Sequence, residues 1–273
     1  TTRLVGSEMC IRDRLTSADI PNVAKRQYNL FRMYQQEGMV PMTNFTTYQE
    51  AVGSGRFDVA IPVGRLDRSI PTESDGEKQQ TQGETETNDK GTTDGVMRTG
   101  GLRSYIHGSA LFDGNRLAGL LDDEDTEILL LAMGQFRNGH LSISDEEGTI
   151  AFLIKETVSP HVQMSLGEAP HAVVTLTLFA EIELDTSGNA EARWDSELKG
   201  QLENYIVMEL NRVFEQCKLL NSDAMRFGRY ACMQFSSVEA WRDYAWKEKY
   251  KNMTAEFGVT VKLNDRIISS HIE

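Results

Sequence analysis

The stretch Asp223–Trp246, DAMRFGRYACMQFSSVEAWRDYAW, sets two Trp, two Tyr and two Phe around one glycine, Gly228. It holds neither a nucleophile–base pair nor a ligand cluster, so it reads as a packing and docking element rather than a reaction centre. Its neighbours on both sides are regular. Upstream, residues 195–220 form the clearest helix, with Leu198, Leu202, Tyr205, Ile206, Leu210, Val213, Phe214 and Cys217 as one apolar stripe at helical spacing. Asn221, Ser222 and Asp223 stop it and are positioned to cap the next helix. Downstream, a second helical stretch is expected around 238–250. Then FGVTVKL alternates Phe257, Val259, Val261 and Leu263 as a closing strand.

Further upstream the pattern changes period. AVVTLTLFAEIEL sends Val174, Leu176, Leu178, Ala180, Ile182 and Leu184 to one side and polar residues to the other, a half-buried antiparallel strand. TIAFLIKE and HVQMSL read as strands before it. SYIHGSALFDGNRLAGLLD reads as a hairpin turning at Asp113-Gly114, with Ala110, Phe112 and Leu117 on its apolar sides. Asp122 caps the helix DEDTEILLLAMGQF, whose first turn is loaded with acids where the macrodipole favours them. Hairpin, helix, strands, helices and strand in that order predict an α+β fold: a curved antiparallel or mixed sheet with helices packed on one face.

A partial second α+β domain is expected before it. Residues 21–38 read as a helix, with Val23, Gln27, Leu30, Phe31 and Tyr34 at three- and four-residue spacing and Gly38 just past its end. A short helical turn at 46–52 and a strand through Val59, Ile61 and Val63, ending near Pro62, follow. Residues 68–101 are rich in Thr, Glu, Gln and Gly and nearly free of large apolar side chains. They cannot bury enough surface to offset the entropy of ordering, and are expected to be a disordered acidic linker. The opening residues 1–14, TTRLVGSEMCIRDR, fit nothing that follows. VGSEMCIRDR resembles translated adapter sequence, so these residues are expected to be non-native and the chain a fragment. The domains are thus 15–67, the end of an N-terminal domain, and 102–273, a C-terminal domain, joined by 68–101.

Composition narrows the function classes. The net charge of −13 disfavours phosphate-backbone or anionic-lipid binding by a basic surface, so no nucleic acid is expected as partner. Part of that charge is local: residues 72–95 carry seven acids and two lysines. Cys10, Cys217 and Cys232 lie in no zinc-like or C-x-x-C spacing and read as free thiols. No window reaches the ~18–20 apolar residues of a membrane span, and no apolar signal region opens the chain. HExxH, GxSxG, Walker A and GxGxxG motifs are all missing. His107, His140, His161, His171 and His271 are scattered, and the acidic run 122–125 lacks the spacing of a calcium loop. No cofactor or metal is therefore expected.

Several of these residues fall in a family pattern. Ala110, Phe112, Leu117, Gly119, Leu121, Glu124 and Glu127 follow alanine–x–phenylalanine, leucine–x–glycine–x–leucine, then acids before a Leu-rich helix. Asp223, Phe227, Gly228, Trp241 and Trp246 follow an acid at the end of the long helix, Phe-Gly, and two spaced tryptophans. From about Ser104 to the end the chain resembles the C-terminal domain of the Ger(x)C, or GerAC-like, family. FTTYQEAVGSGRFDVAIP resembles the end of that family's preceding domain.

The resemblance implies a lipoprotein C subunit of the spore nutrient germinant receptor. Such a subunit is non-enzymatic and lipid-anchored on the outer face of the spore inner membrane, where it works with the A and B membrane subunits in nutrient-triggered germination. The anchor itself belongs to the part of the family that precedes this chain. Phe112, Gly119, Glu124, Asp223, Phe227, Gly228, Trp241 and Trp246 are the structural or interaction candidates. Core packing accounts for most of the aromatics, with exposed Arg229 and Arg242 nearer any interface. The alternative is an extracytoplasmic lipoprotein that itself binds a small nutrient, which requires a pocket with a few convergent polar groups.

Overall fold

The computed structural model describes residues 3–4, 31–35, 38–67, 103–144, 148–186, 188 and 190–263. The start expected to be non-native, most of the helix expected over 21–38 and the segment expected to be an acidic linker therefore lie outside the described residues, apart from a two-residue strand and a helical turn at 31–35.

The first sheet runs in the order β1 (Arg3–Leu4), β2 (Ala60–Asp67), β3 (Arg103–Asp113) and β4 (Arg116–Leu121), all antiparallel. β2 does not stop at Pro62. It bulges between Pro62 and Gly64 and continues to Asp67, since a bulge lets proline sit in a paired strand. Asp67 lies opposite Arg103, so the two ends of the acidic segment are held side by side. The hairpin turns at Gly114 with φ 61°, as Asp-Gly demands. Leu117, expected on the apolar side, is instead 55% exposed, because the ladder shifts register between Leu111 and Phe112. The expected turn at 46–52 is a full helix, α1 (Phe45–Ser54), capped by Asn44 at its start and by Gly55 in the left-handed conformation at its end.

β4 leads into α2 (Asp123–Ala132). The Asp122 carboxylate accepts from the backbone N–H of Asp125, the expected cap. α2 ends four residues before Phe136. The chain then enters a strand the periodicity did not reveal, β5 (Gly139–Ser144).

The second sheet is built on the long β8 (His171–Asp185). Along one side of β8 lie β6 (Thr149–Thr157) and β7 (His161–Ser165), end to end and antiparallel, with β5 outside β6. On the other side β9 (Thr254–Leu263) runs parallel to β8. The sheet is therefore mixed. Ala172, Val174, Leu176, Leu178 and Ala180 are buried on the helix side of β8, but Leu184 at its end is 52% exposed. The alternation outruns the helices that would cover it.

The clearest helix extends further back than expected. α3 (Ala190–Arg193) passes through a π turn at Trp194–Leu198 into α4 (Lys199–Leu219). Its stripe is buried from Leu198 to Cys217 except for Tyr205, which is 38% exposed. Three short helices follow: α5 (Phe227–Cys232), α6 (Val238–Tyr244) and α7 (Trp246–Tyr250). The expected single helix over 238–250 is broken at Ala245, which adopts φ 53°. The α+β expectation holds: a mixed sheet carrying helices over its buried face, plus a second, smaller α+β element.

Candidate functional site

The segment from Asp223 to Tyr250 closes over the long helix and the second sheet. Phe227 is 2% exposed and meets Phe214 of α4 edge-on at 5.6 Å; Phe214 in turn meets Phe257 of β9 at 6.0 Å. Helix, motif and closing strand are thus joined through three rings, geometry that adds to area burial.

The two tryptophans do not point to different sides, as five-residue spacing on one helix predicts. The left-handed Ala245 breaks the helix and redirects the chain between α6 and α7. This brings Trp241 and Trp246 to 6.0 Å between ring centroids. Tyr244 stacks on Trp246 at 6.5 Å, Phe235 packs on Tyr244 at 5.0 Å, and Tyr250 meets Trp246 at 5.9 Å. The Tyr244 hydroxyl donates to the Gly167 carbonyl at 3.0 Å, tying the cluster to the loop after β7.

Beneath these rings lies a polar knot. Asp223, fully buried, accepts from the backbone N–H of Phe227 at 2.8 Å, the N–H of Gly228 at 2.7 Å and the Trp246 indole N–H at 3.0 Å. Its own N–H donates to Asp58 at 2.7 Å, and Asp58 N–H donates back to the Asp223 carbonyl at 3.1 Å. Asp58, 1% exposed, also accepts from the N–H of Gly114 at 2.8 Å and from Lys247. The Lys247 ammonium reaches further, to Asp113 at 2.7 Å and the Asn221 carbonyl at 2.8 Å. Ser222 donates to the Phe112 carbonyl at 2.6 Å, and Tyr250 donates to the Ser222 carbonyl at 3.1 Å. One cation and two buried carboxylates therefore join the segment before β2, the β3–β4 turn, the end of α4 and α7.

The electrostatics follow from this burial. Desolvation pushes the Asp223 carboxyl up to about 7, with the negative charge of Asp58 adding to it and the three N–H donors opposing. Asp113 moves the other way. Burial works against it, but hydrogen bonds from Lys247 and Asn221 and the charge of Lys247 win. Desolvation also raises the buried Cys217 thiol beyond the range in which it would react.

Gly228 is required by space. A Cβ there would lie 2.1 Å from the Arg56 carbonyl and 2.5 Å from Trp246 Nε1. Gly119 is less constrained: a Cβ there would meet only the tip of the Leu220 side chain, at 2.7 Å, which can swing aside. Phe112 is 7% exposed in a separate small core with Phe57, Val59 and Ile61, edge-on to Tyr48 at 6.0 Å. Glu124 is exposed in the first turn of α2, apart from the knot. The fold therefore gathers Asp223, Phe227, Gly228, Trp241 and Trp246, places Phe112 and Gly119 next to them through Ser222 and Leu220, and leaves Glu124 outside.

Asp58 and Lys247 escaped the sequence reading. Asp58 stands alone between Phe57 and Val59 and Lys247 opens the charged run Lys247-Glu248-Lys249, and only the fold shows that they pair. Among the described residues no three His, Cys, Asp or Glu side chains converge as a metal site, and no helix is long and apolar enough to cross a membrane.

The comparisons with known proteins agree with this architecture. Residues 107–266 match the family described as spore germination B3/GerAC like, C-terminal. The crystal structure of the GerBC protein superposes with a TM-score of 0.51 at 16% identity, over 60% of this chain and 53% of that one, and so shares the fold. The match spans about half the length of that protein. No protein of curated function matches the chain. Asp223, Phe227, Gly228 and the two tryptophans, all within the matched span, form the buried knot described above, and the chain belongs to the GerAC-like family of spore germination proteins.

Proposed function

We propose that this chain is a non-catalytic C subunit of a spore germinant receptor complex, acting through protein–protein contacts with the A and B membrane subunits during nutrient-triggered germination. In this reading the full-length protein is a lipoprotein anchored on the outer face of the spore inner membrane. Residues 15–67 end its preceding domain, 68–101 are a linker, and 102–273 are the C-terminal domain. The pairing of β2 with β3 makes the two parts share a sheet.

One observation carries the proposal: Asp223, the acid that opens the family's second motif, and its partner Asp58 spend their hydrogen-bonding capacity inside the fold. Asp58 and Asp223 are sealed from solvent and satisfied by backbone, indole and ammonium donors. Such a knot sets the relative position of helices and sheets and leaves recognition to the surface above it. Arg242 on α6 is exposed there.

Co-purification of the full-length protein with its co-encoded membrane neighbours tests the reading. The wild type is expected to bring both down, and Arg242→Glu to lose them while keeping its circular dichroism and melting temperature. A folded full-length protein that never associates with them refutes the proposal.

A further inference from the structure

In a chain of net charge −13, three arginines converge on one cavity of about 360 Å³ beside α5. Arg56 follows the Gly55 cap of α1, Arg226 precedes α5 and Arg229 lies in its first turn. The guanidinium groups of Arg226 and Arg229 both lie over the Phe57 ring, at 5.3 and 5.2 Å from its centroid. Two like charges share one aromatic ring, and Arg226 Nε is buried without a hydrogen-bond partner among the described residues. The Arg226 side chain also lines the cavity, so an acceptor seated there would meet its guanidinium.

The acids nearby do not fill that role. Glu50 lies 4.0 Å from Arg229 at the cavity rim and is exposed, and Asp223 is committed to Phe227, Gly228 and Trp246. Arg226 is held in a left-handed backbone conformation, φ 67°, which a non-glycine residue adopts only when its surroundings require it. Met133, Met225 and Met233 supply apolar surface to the wall beside Tyr230 and Cys232. Methionine surfaces adapt to ligands of varied shape.

Planar guanidinium groups bind carboxylates through paired N–H donors, and a cavity of this size suits a ligand of small-molecule dimensions. We propose that this cavity binds a small organic carboxylate. Arg226 and Arg229 grip the carboxylate group, Arg56 guards the mouth, and the methionines cover the apolar body. The methionine part of the wall favours an organic anion over inorganic phosphate. The site stands apart from the receptor-subunit reading, because it is tested on the isolated chain with no membrane partner present.

The test is titration of the ¹⁵N-labelled chain with hydrocinnamate, its neutral amide hydrocinnamamide and inorganic phosphate, followed by amide shifts. Saturable shifts at Arg226, Arg229, Tyr230 and Met233 are expected with hydrocinnamate only. The double variant Arg56→Gln/Arg229→Gln is expected to weaken that binding at least tenfold, while Arg116→Gln, which does not line the cavity, leaves it unchanged. Both altered arginines are exposed, so the variant retains its fold, which its melting temperature verifies. Equal binding of acid and amide, binding untouched by the double variant, or no saturable binding of the acid overturns the proposal. So does stronger binding of phosphate, or of a synthetic acidic peptide copying residues 72–95, which would assign the arginines to a different partner.

Discussion

Replacing Lys247 by methionine removes the ammonium that Asp58, Asp113 and the Asn221 carbonyl share, while keeping most of the aliphatic stem. Asp58 is 1% exposed and would be left as a buried carboxylate with only the N–H groups of Gly114 and Asp223 as donors. Removing one partner of a buried pair costs about 3–5 kcal/mol. The Lys247 side chain is 31% exposed, so water already screens part of the attraction. The lower end, about 3 kcal/mol, is the expected loss. For a domain of this size that corresponds to a drop in melting temperature of about 6–12 °C.

Thermal unfolding at neutral pH, read by circular dichroism, measures it. Asp58→Asn alone is expected to destabilise as well. The double variant Asp58→Asn/Lys247→Met should lose clearly less than the sum of the two, because each single change strands the other's charge. A Lys247→Met variant within about 0.5 kcal/mol of wild type would show that the pair contributes nothing measurable, as exposed surface pairs do, and would refute the knot as a fastener.

Three further outcomes follow from the same geometry. Trp246→Ala empties a buried indole site and strips one donor from Asp223; it is expected to cost about 3–5 kcal/mol in chemical denaturation, whereas Trp246→Phe should cost only about 1–3 kcal/mol for the lost hydrogen bond. Ala245→Gly relieves a left-handed alanine at about 1–2 kcal/mol, offset by about 0.5–1 kcal/mol of added chain entropy, so a net gain of up to about 1.5 kcal/mol is expected. Asp223 and Glu127 are each raised to about 7, in both cases chiefly by desolvation. Since unfolded carboxyls titrate near 4, the folded protein holds extra protons between about pH 4 and 7, and this contribution to stability is lost as pH rises through about 7. The melting temperature is therefore expected to fall from pH 5 to pH 8, and less steeply in Glu127→Gln; a flat or rising wild-type profile over that interval would contradict the assignment.

Much of this molecule was readable in one dimension. The period-two run of β8, the stripe of α4, the Asp122 cap and the Asp-Gly turn are local signals. Backbone geometry and side-chain alternation act over a few residues, so each could be placed without knowing its neighbours. The α+β class and the family pattern follow from their order. The misses share a cause. Leu117, Leu184 and Tyr205 match an apolar period yet are exposed, because periodicity states which residues share a face and not how far the covering layer reaches. β5 was overlooked because its buried and exposed positions are set by pairing with β6 rather than by a strong pattern of its own.

The chain's own order of residues determined that a glycine, an acid and two indoles would occupy one short segment after the long helix. The tertiary structure alone decided that they meet. Ala245 had to turn left-handed for Trp241 to reach Trp246, and β2 had to pair across the acidic segment for Asp58 to reach Asp223 and Lys247. Contacts between residues separated by 165 or 189 positions leave no trace in local spacing, since their energy exists only once the intervening chain has folded.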